Sequence, residues 1–345
     1  MRTQRSLFPL LYGNDHFRTV AGSDILLNRF GHAYIIEGPE GSGKHTAAEA
    51  VCAALSCENK SDSAFPLPCG RCLSCRKIAG RISPDVQYIR RDEDRATMGV
   101  STIRRLREDL WIAPNENEKK VYIIENAETM TEEAQNALLL SLEDPPPYVV
   151  FILLTKNATA LLETIRSRAP VFRMQTFSVD EIAAFLKNKP CYKSLADRDP
   201  RKFSEAVIAG EGAVGKAELL LSEDDPVCAE TFALRENARL IVSQLFFPSS
   251  ETAIGLLKTI PKERGDAAEL LRLVATALRD LAAVKKNAAV PLLFYGTADE
   301  CKAVTDKVSL ERIVLASDDV MAARGDILAN GTIQPIFVSL FMNKH

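Results

Sequence analysis

The run Gly38-Pro-Glu-Gly-Ser-Gly43-Lys44 combines residue types and a spacing that can hold phosphate. Gly38, Gly41 and Gly43 let backbone N–H groups converge on phosphate oxygens. The N-terminus of the helix that follows adds partial positive charge, and the lysine adds a full one. ATP or ADP is the ligand class such a loop accepts. Whether the loop can also support hydrolysis depends on the next position. The full motif asks for Ser or Thr, whose hydroxyl binds Mg²⁺, and here it is His45. Thr46 comes next, but one step along a helix turns a side chain by about 100°, away from the metal. A hydrolytic site also needs an apolar strand ending in two acidic groups, one for the metal and one to polarise water. Val121-Tyr-Ile-Ile124 is such a strand, followed by Glu125 and Asn126. An amide cannot accept a proton from water, so the general base is missing. The plainer alternative is that Glu125 and Asn126 are polar residues at a strand end.

A second chemistry is suggested by cysteine. The chain has eight, and Cys57, Cys69, Cys72 and Cys75 fall within nineteen residues. The tight Cys-x2-Cys-x2-Cys run lets one turn present several sulfurs to a tetrahedral ion. Four thiolates suit a closed structural Zn²⁺ site. An iron–sulfur cluster and unligated cysteines are the other two readings. Cys52, Cys191, Cys228 and Cys301 are isolated and read as ordinary packing residues.

These residues need a frame. Strands are expected at Ala33–Ile36, Val86–Ile89, Val121–Ile124, Val149–Leu154 and Val171–Met174. The continuous apolar runs among them are typical of strands buried on both faces. Helices are expected between them at Thr46–Leu55, Ser101–Leu110 and Thr131–Leu142. Alternation of this kind argues for an α/β fold, a parallel sheet with helices on both faces. After Met174 the strands stop. Ser178–Lys187 reads as a short helix with Ser178 as its N-cap, and 188–225 reads as mixed and polar. Helices are then expected at Arg235–Phe247, Ser250–Thr259, Ala267–Lys286 and Thr297–Gly325, punctuated by Pro261, Pro291 and Pro335.

Length and charge narrow the function. At 345 residues, two or three domains are expected. The net charge of −3 argues against a free-standing nucleic-acid binder. No apolar run approaches the roughly 18–20 residues a membrane span requires. The basic start, Met1-Arg-Thr-Gln-Arg-Ser, lacks a signal-peptide apolar stretch, so no membrane association and a cytoplasmic location are expected.

Several segments now form a recognisable series. Gly31 to Lys44, the cysteine module, Ser83-Pro-Asp-Val86, Val121 to Glu128, Asn136-Ala-Leu-Leu139, Leu142-Glu-Asp-Pro-Pro146 and Ile165-Arg-Ser-Arg168 resemble, in this order, the delta-prime subunits of bacterial DNA polymerase III. The resemblance spans about residues 7 to 177. It implies a P-loop AAA+ module over 1–176 with a zinc-binding insertion at about 57–80. A small helical lid over 177–225 and an all-α collar over 226–345 complete the implied architecture. The implied partners are gamma/tau motor subunits, delta, a sliding clamp and primed DNA within the complex. Delta-prime resembles a stator that does not turn over ATP but offers the arginine of a Ser-Arg-Cys motif to its neighbour's ATP. Here the motif reads Ser167-Arg168-Ala169, so the cysteine is replaced and the arginine kept. The resemblance departs also at Ser83, where His is common. Thr155 and Asn157 fall where a phosphate-sensing residue would sit. Arg104, Arg105 and Arg107 form either a DNA contact or a solvated helix face. An ATP-hydrolysing gamma/tau-like motor subunit is the alternative, against which His45 and Asn126 speak. A zinc-dependent DNA-binding module is a third reading, against which the net charge speaks.

Overall fold

The computed structural model describes residues 5–92, 94–222 and 226–342. The chain divides into two compact units, 1–176 and 177–345.

Among the described residues of the first unit, five strands form one parallel sheet: β1 (Ala33–Glu37), β2 (Val86–Ile89), β3 (Lys120–Ile124), β4 (Val149–Thr155) and β5 (Val171–Arg173), in the order β2-β3-β4-β1-β5. Side chains alternate between faces along each strand. Tyr34, Ile36, Val121, Ile123, Val150, Ile152 and Leu154 therefore enter one buried cluster with α1 (Asp15–Leu26), α2 (Lys44–Leu55) and α3 (Leu73–Ala79). Ile35, Tyr122, Ile124, Phe151 and Leu153 enter the opposite cluster with α4 (Val100–Asp109), α5 (Glu132–Glu143) and α6 (Glu163–Arg166). With helices on both faces, β3 and β4 are wholly buried and β1 nearly so, while β2 is half-buried and β5 exposes Val171 and Arg173. Sequence reading passes over α1, although Phe17, Ala21 and Ile25 stand at helical spacing and all three are buried.

The loop before β3 is organised by Asp85. Its carboxylate, wholly buried, accepts the backbone N–H groups of Asn115 (2.5 Å), Glu116 (2.9 Å) and Asn117 (2.8 Å) and the Asn117 side-chain amide (3.0 Å). Burial pushes this carboxyl up, but the donors outweigh it and hold it below the usual carboxylate range. A lowered folded-state pKa gives stability that is present above the unfolded-state value and lost as pH falls through the folded one. Asp85→Asn should therefore cost about 1–3 kcal/mol at neutral pH and flatten the acid limb of the stability profile. Denaturant melts of both proteins across the acid range check this. An unchanged neutral-pH midpoint refutes it.

The second unit is helical among the described residues. It comprises α7 (Val179–Lys187), α8 (Pro190–Arg198), α9 (Pro200–Ala209), α10 (Val214–Leu221), α11 (Pro226–Phe246), α12 (Ser250–Thr259), α13 (Arg264–Lys285), α14 (Ala298–Thr305), α15 (Leu310–Leu328) and α16 (Ile333–Met342). Ser178 and Glu181 form a reciprocal capping box on α7. The stretch expected to be mixed and polar is largely α8, α9 and α10. Pro190 and Pro200 occupy first-turn positions, where a missing N–H costs nothing, and Asp199 caps α9. The single helix expected over Thr297–Gly325 is broken, because Ser309 caps a new helix, α15, through the N–H of Arg312. Pro335 does not end a helix but lies in the first turn of α16. Two apolar clusters hold this unit, one around Phe203, Ala206 and Leu220, the other around Leu271, Leu278, Phe294 and Ile313.

Candidate functional site

Parallel pairing brings the C-terminal ends of the strands to one edge: Ile89 stands beside Ile124, and Glu37 beside Thr155. In open α/β sheets this edge is where ligands bind. The phosphate loop leaves β1 here and enters α2. Gly43 has φ +88°, a left-handed conformation natural to glycine. A Cβ on Gly38 would come within 2.7 Å of Ser42 Oγ and 2.9 Å of Met174 Cβ, so the loop is closed too tightly for a larger residue.

Lys44 is buried, and its Nζ donates to the carbonyls of Gly38 (2.6 Å) and Pro39 (2.7 Å). Burial lowers its pKa. Thr46 is exposed and lines an apolar cavity of about 370 Å³ with Phe8, Ala50, Pro68 and Ile78. His45, one step earlier, has its Nε2 3.6 Å from a Glu125 oxygen. The other Glu125 oxygen accepts a 2.8 Å bond from Arg90, at the end of β2. Burial alone would raise the Glu125 carboxyl; hydrogen bonding and charge from His45 and Arg90 overcome that and hold it below its ordinary value. Asn126 is exposed with φ +49°. Asn tolerates this conformation better than most residues, which gives it a backbone role.

Thr155 and Asn157 are bonded to each other: Thr155 Oγ1 donates to the Asn157 carbonyl (3.0 Å) and accepts its N–H (3.1 Å). Ser83 accepts a 3.3 Å bond from Asn117. Arg104, Arg105 and Arg107 project from α4. Arg105 lies 3.4 Å from Asp92, while Arg104 and Arg107 line an open groove with Trp111, Leu140 and Pro146.

The four cysteines converge. The sulfurs of Cys57, Cys69, Cys72 and Cys75 all lie within 4.8 Å of one another. A tetrahedral ion with bonds of about 2.3 Å separates its sulfurs by about 3.8 Å, and Cys69 and Cys75 stand 3.9 Å apart. The N–H of Cys72 donates to Cys69 Sγ and that of Cys75 to Cys72 Sγ, each at 3.4 Å, as does the Asn59 side-chain amide to Cys69 Sγ. Such donors stabilise thiolate over thiol. Although burial opposes it, the Asn59 amide and the N–H groups of Arg71 and Cys72 pull the Cys69 thiol down to about 6, while burial pushes Cys57 and Cys75 up. The chemistry of the donor set fits a structural zinc ion. Cys52 and Cys301 are buried, and Cys191 is exposed. The side chain of Cys228 lies outside the described residues.

Arg168 lies two residues past the end of α6, after the C-cap Ser167. Ile165 and Ala169 on either side are wholly buried, so the arginine projects from an anchored base. Its guanidinium donates to Glu143 Oε1 (2.9 Å) and to the Thr164 carbonyl (3.1 Å). The residue that stands in place of the motif's cysteine, Ala169, is part of the core.

A family described as "DNA polymerase III, delta subunit" matches residues 15–178. The tau subunit of DNA polymerase III from Bacillus subtilis (strain 168) is 29% identical over 326 residues, covering 90% of this chain and 54% of that protein. The tau subunit from Escherichia coli (strain K12) is 32% identical over 211 residues, covering 61% of this chain and 32% of that protein. The family match takes in a little under half of this chain, and both relatives are subunits of DNA polymerase III. The chain spans from about a third to a little over half of the length of these two relatives. Among solved structures, a DNA polymerase III gamma subunit-related protein from Thermotoga maritima superposes with a TM-score of 0.49 at 20% identity, over 94% of this chain and 97% of that one. The segment matching that family, residues 15–178, contains the glycine-rich loop, all four clustered cysteines, Glu125 and Arg168.

Sequence reasoning misses Arg90. Its signal is available: a strand-end arginine on β2 sits beside whatever ends β3 once the two are paired in parallel. Ser42 is missed also, although it lies inside the motif. No helix among the described residues is long and apolar enough to cross a membrane.

Proposed function

We propose that this chain is a clamp-loader stator of the delta-prime type, defective in hydrolysis, that supplies Arg168 to ATP bound by a neighbouring motor subunit. One observation carries the reading. The carboxylate that would hold Mg²⁺, Glu125, is engaged within the protein by Arg90 and faced by His45. A hydrolytic site needs that carboxylate for the metal, and Asn126 supplies no base behind it. In this reading residues 1–176 are the AAA+ module, 177–225 its lid and 226–345 the collar that joins a ring with gamma/tau and delta. The ring opens a sliding clamp and places it on primed DNA. Cys57, Cys69, Cys72 and Cys75 hold Zn²⁺, which folds the insertion and takes no part in chemistry.

The purified chain should hydrolyse ATP no faster than a Lys44→Ala control, with or without primed DNA. Mixed with motor subunits and clamp, it should raise their ATP turnover. Turnover by the chain alone, abolished in the control, would restore the gamma/tau-like motor reading.

A further inference from the structure

The phosphate loop is intact where it would touch phosphate and altered where it would touch magnesium. We propose that it takes the phosphates of a nucleotide without any divalent cation, with Arg90 and His45 in the metal's place. This inference rests on reading the loop as a nucleotide site that has lost hydrolysis.

Two observations favour a bound anion. Ser42 is more than nine-tenths buried, and its hydroxyl has no hydrogen-bond partner. It stands at the first glycine of the loop, 2.7 Å from where a Gly38 Cβ would stand. An unpaired buried hydroxyl is costly, and a phosphate oxygen would satisfy it. Lys44 meanwhile donates to two loop carbonyls, neutral acceptors that an anion displaces readily.

The residues present do not fit magnesium. Mg²⁺ demands hard oxygen ligands in near-octahedral geometry. The position of the motif's hydroxyl carries the imidazole of His45, and the carboxylate carries a guanidinium. Binding the ion would break the 2.8 Å Arg90–Glu125 bond and set a dication beside a fixed positive charge. Arg90 is about half exposed and has bonded only one side of its fork to Glu125. Its remaining donors are available to phosphate oxygens, which a planar guanidinium matches well.

Isothermal titration of the full chain with ADP and with ATP, in EDTA and in excess Mg²⁺, tests the proposal. The affinities in the two buffers should agree within about twofold, since no metal bridge is formed. Lys44→Ala should abolish binding, and Arg90→Ala should weaken binding in EDTA by about tenfold through loss of a charge-assisted bond. In the double variant H45S/R90A, magnesium should now tighten binding. Manganese resonance gives a second readout, with no ion retained by the wild-type chain with nucleotide. Tightening of wild-type binding by magnesium of about tenfold or more overturns the proposal. So does the absence of binding in both buffers, or binding that survives Lys44→Ala. Those results leave Arg168 untouched, whereas failure of the stator reading would show in the neighbour's turnover.

Discussion

Arg168→Ala should lower ATP turnover at the adjoining motor site by about a thousandfold, the lower end of the range for removal of an arginine finger. The effect is large because a guanidinium at the γ-phosphate stabilises charge that develops only in the transition state. The fold should not suffer, since the side chain is exposed and its Glu143 partner is half exposed. Surface pairs of this kind contribute about 0–1 kcal/mol, so moving from Glu143 to a phosphate costs little. Buried Ile165 and Ala169 fix the backbone on either side, which limits what must be ordered when the finger engages. Single-turnover hydrolysis in the reconstituted complex is the measurement, because other motor sites would mask the loss in a steady state. Arg168→Lys should recover only part of the rate, as an ammonium lacks the planar fork. Arg166→Ala, two residues away, serves as the control. Equal rates for the wild-type chain and the Arg168→Ala variant would remove the stator role.

Loss of the metal centre should be the largest effect on stability. Metal analysis should give one zinc per chain, and C72S/C75S should give none. Zinc binding to small structural sites is worth about 10–16 kcal/mol in apparent terms, comparable to the whole stability of a typical domain. Part of that is offset by packing that survives, for α2 and the strands contribute many other apolar residues to the cluster in which the four cysteines sit. A net loss of only about 3 kcal/mol would still lower the midpoint of a unit this size by about 6–12 °C. Calorimetry with and without a strong chelator measures it. A chain that purifies without metal and melts unchanged after the double substitution would dismiss the zinc assignment. Iron in place of zinc, with cluster absorbance in the visible range, would redirect it to a redox centre.

What can be read from sequence differs by element, for physical reasons. The central strands β1, β3 and β4 announce themselves because they are buried on both faces and so are nearly unbroken apolar runs. Phosphate loop and cysteine module are legible because their ligands are close in sequence, where local geometry suffices to bring them together. The helices over 190–221 are obscured by their short length and polar faces, although their start signals, Pro190 and Asp199-Pro200, are present. The break before α15 is likewise written in Ser309, a cap that an apparently continuous helical pattern conceals.

By itself, then, the sequence showed the glycine-rich motif of a phosphate loop, with His45 and Asn126 where a hydroxyl and a second acid would stand, and four cysteines within nineteen residues. Only the tertiary structure decided that Glu125 is occupied by Arg90. Thirty-five positions separate the two, and it is the parallel pairing of β2 with β3 that brings them within 2.8 Å. Local patterns report local geometry; a contact made by sheet register belongs to the folded chain.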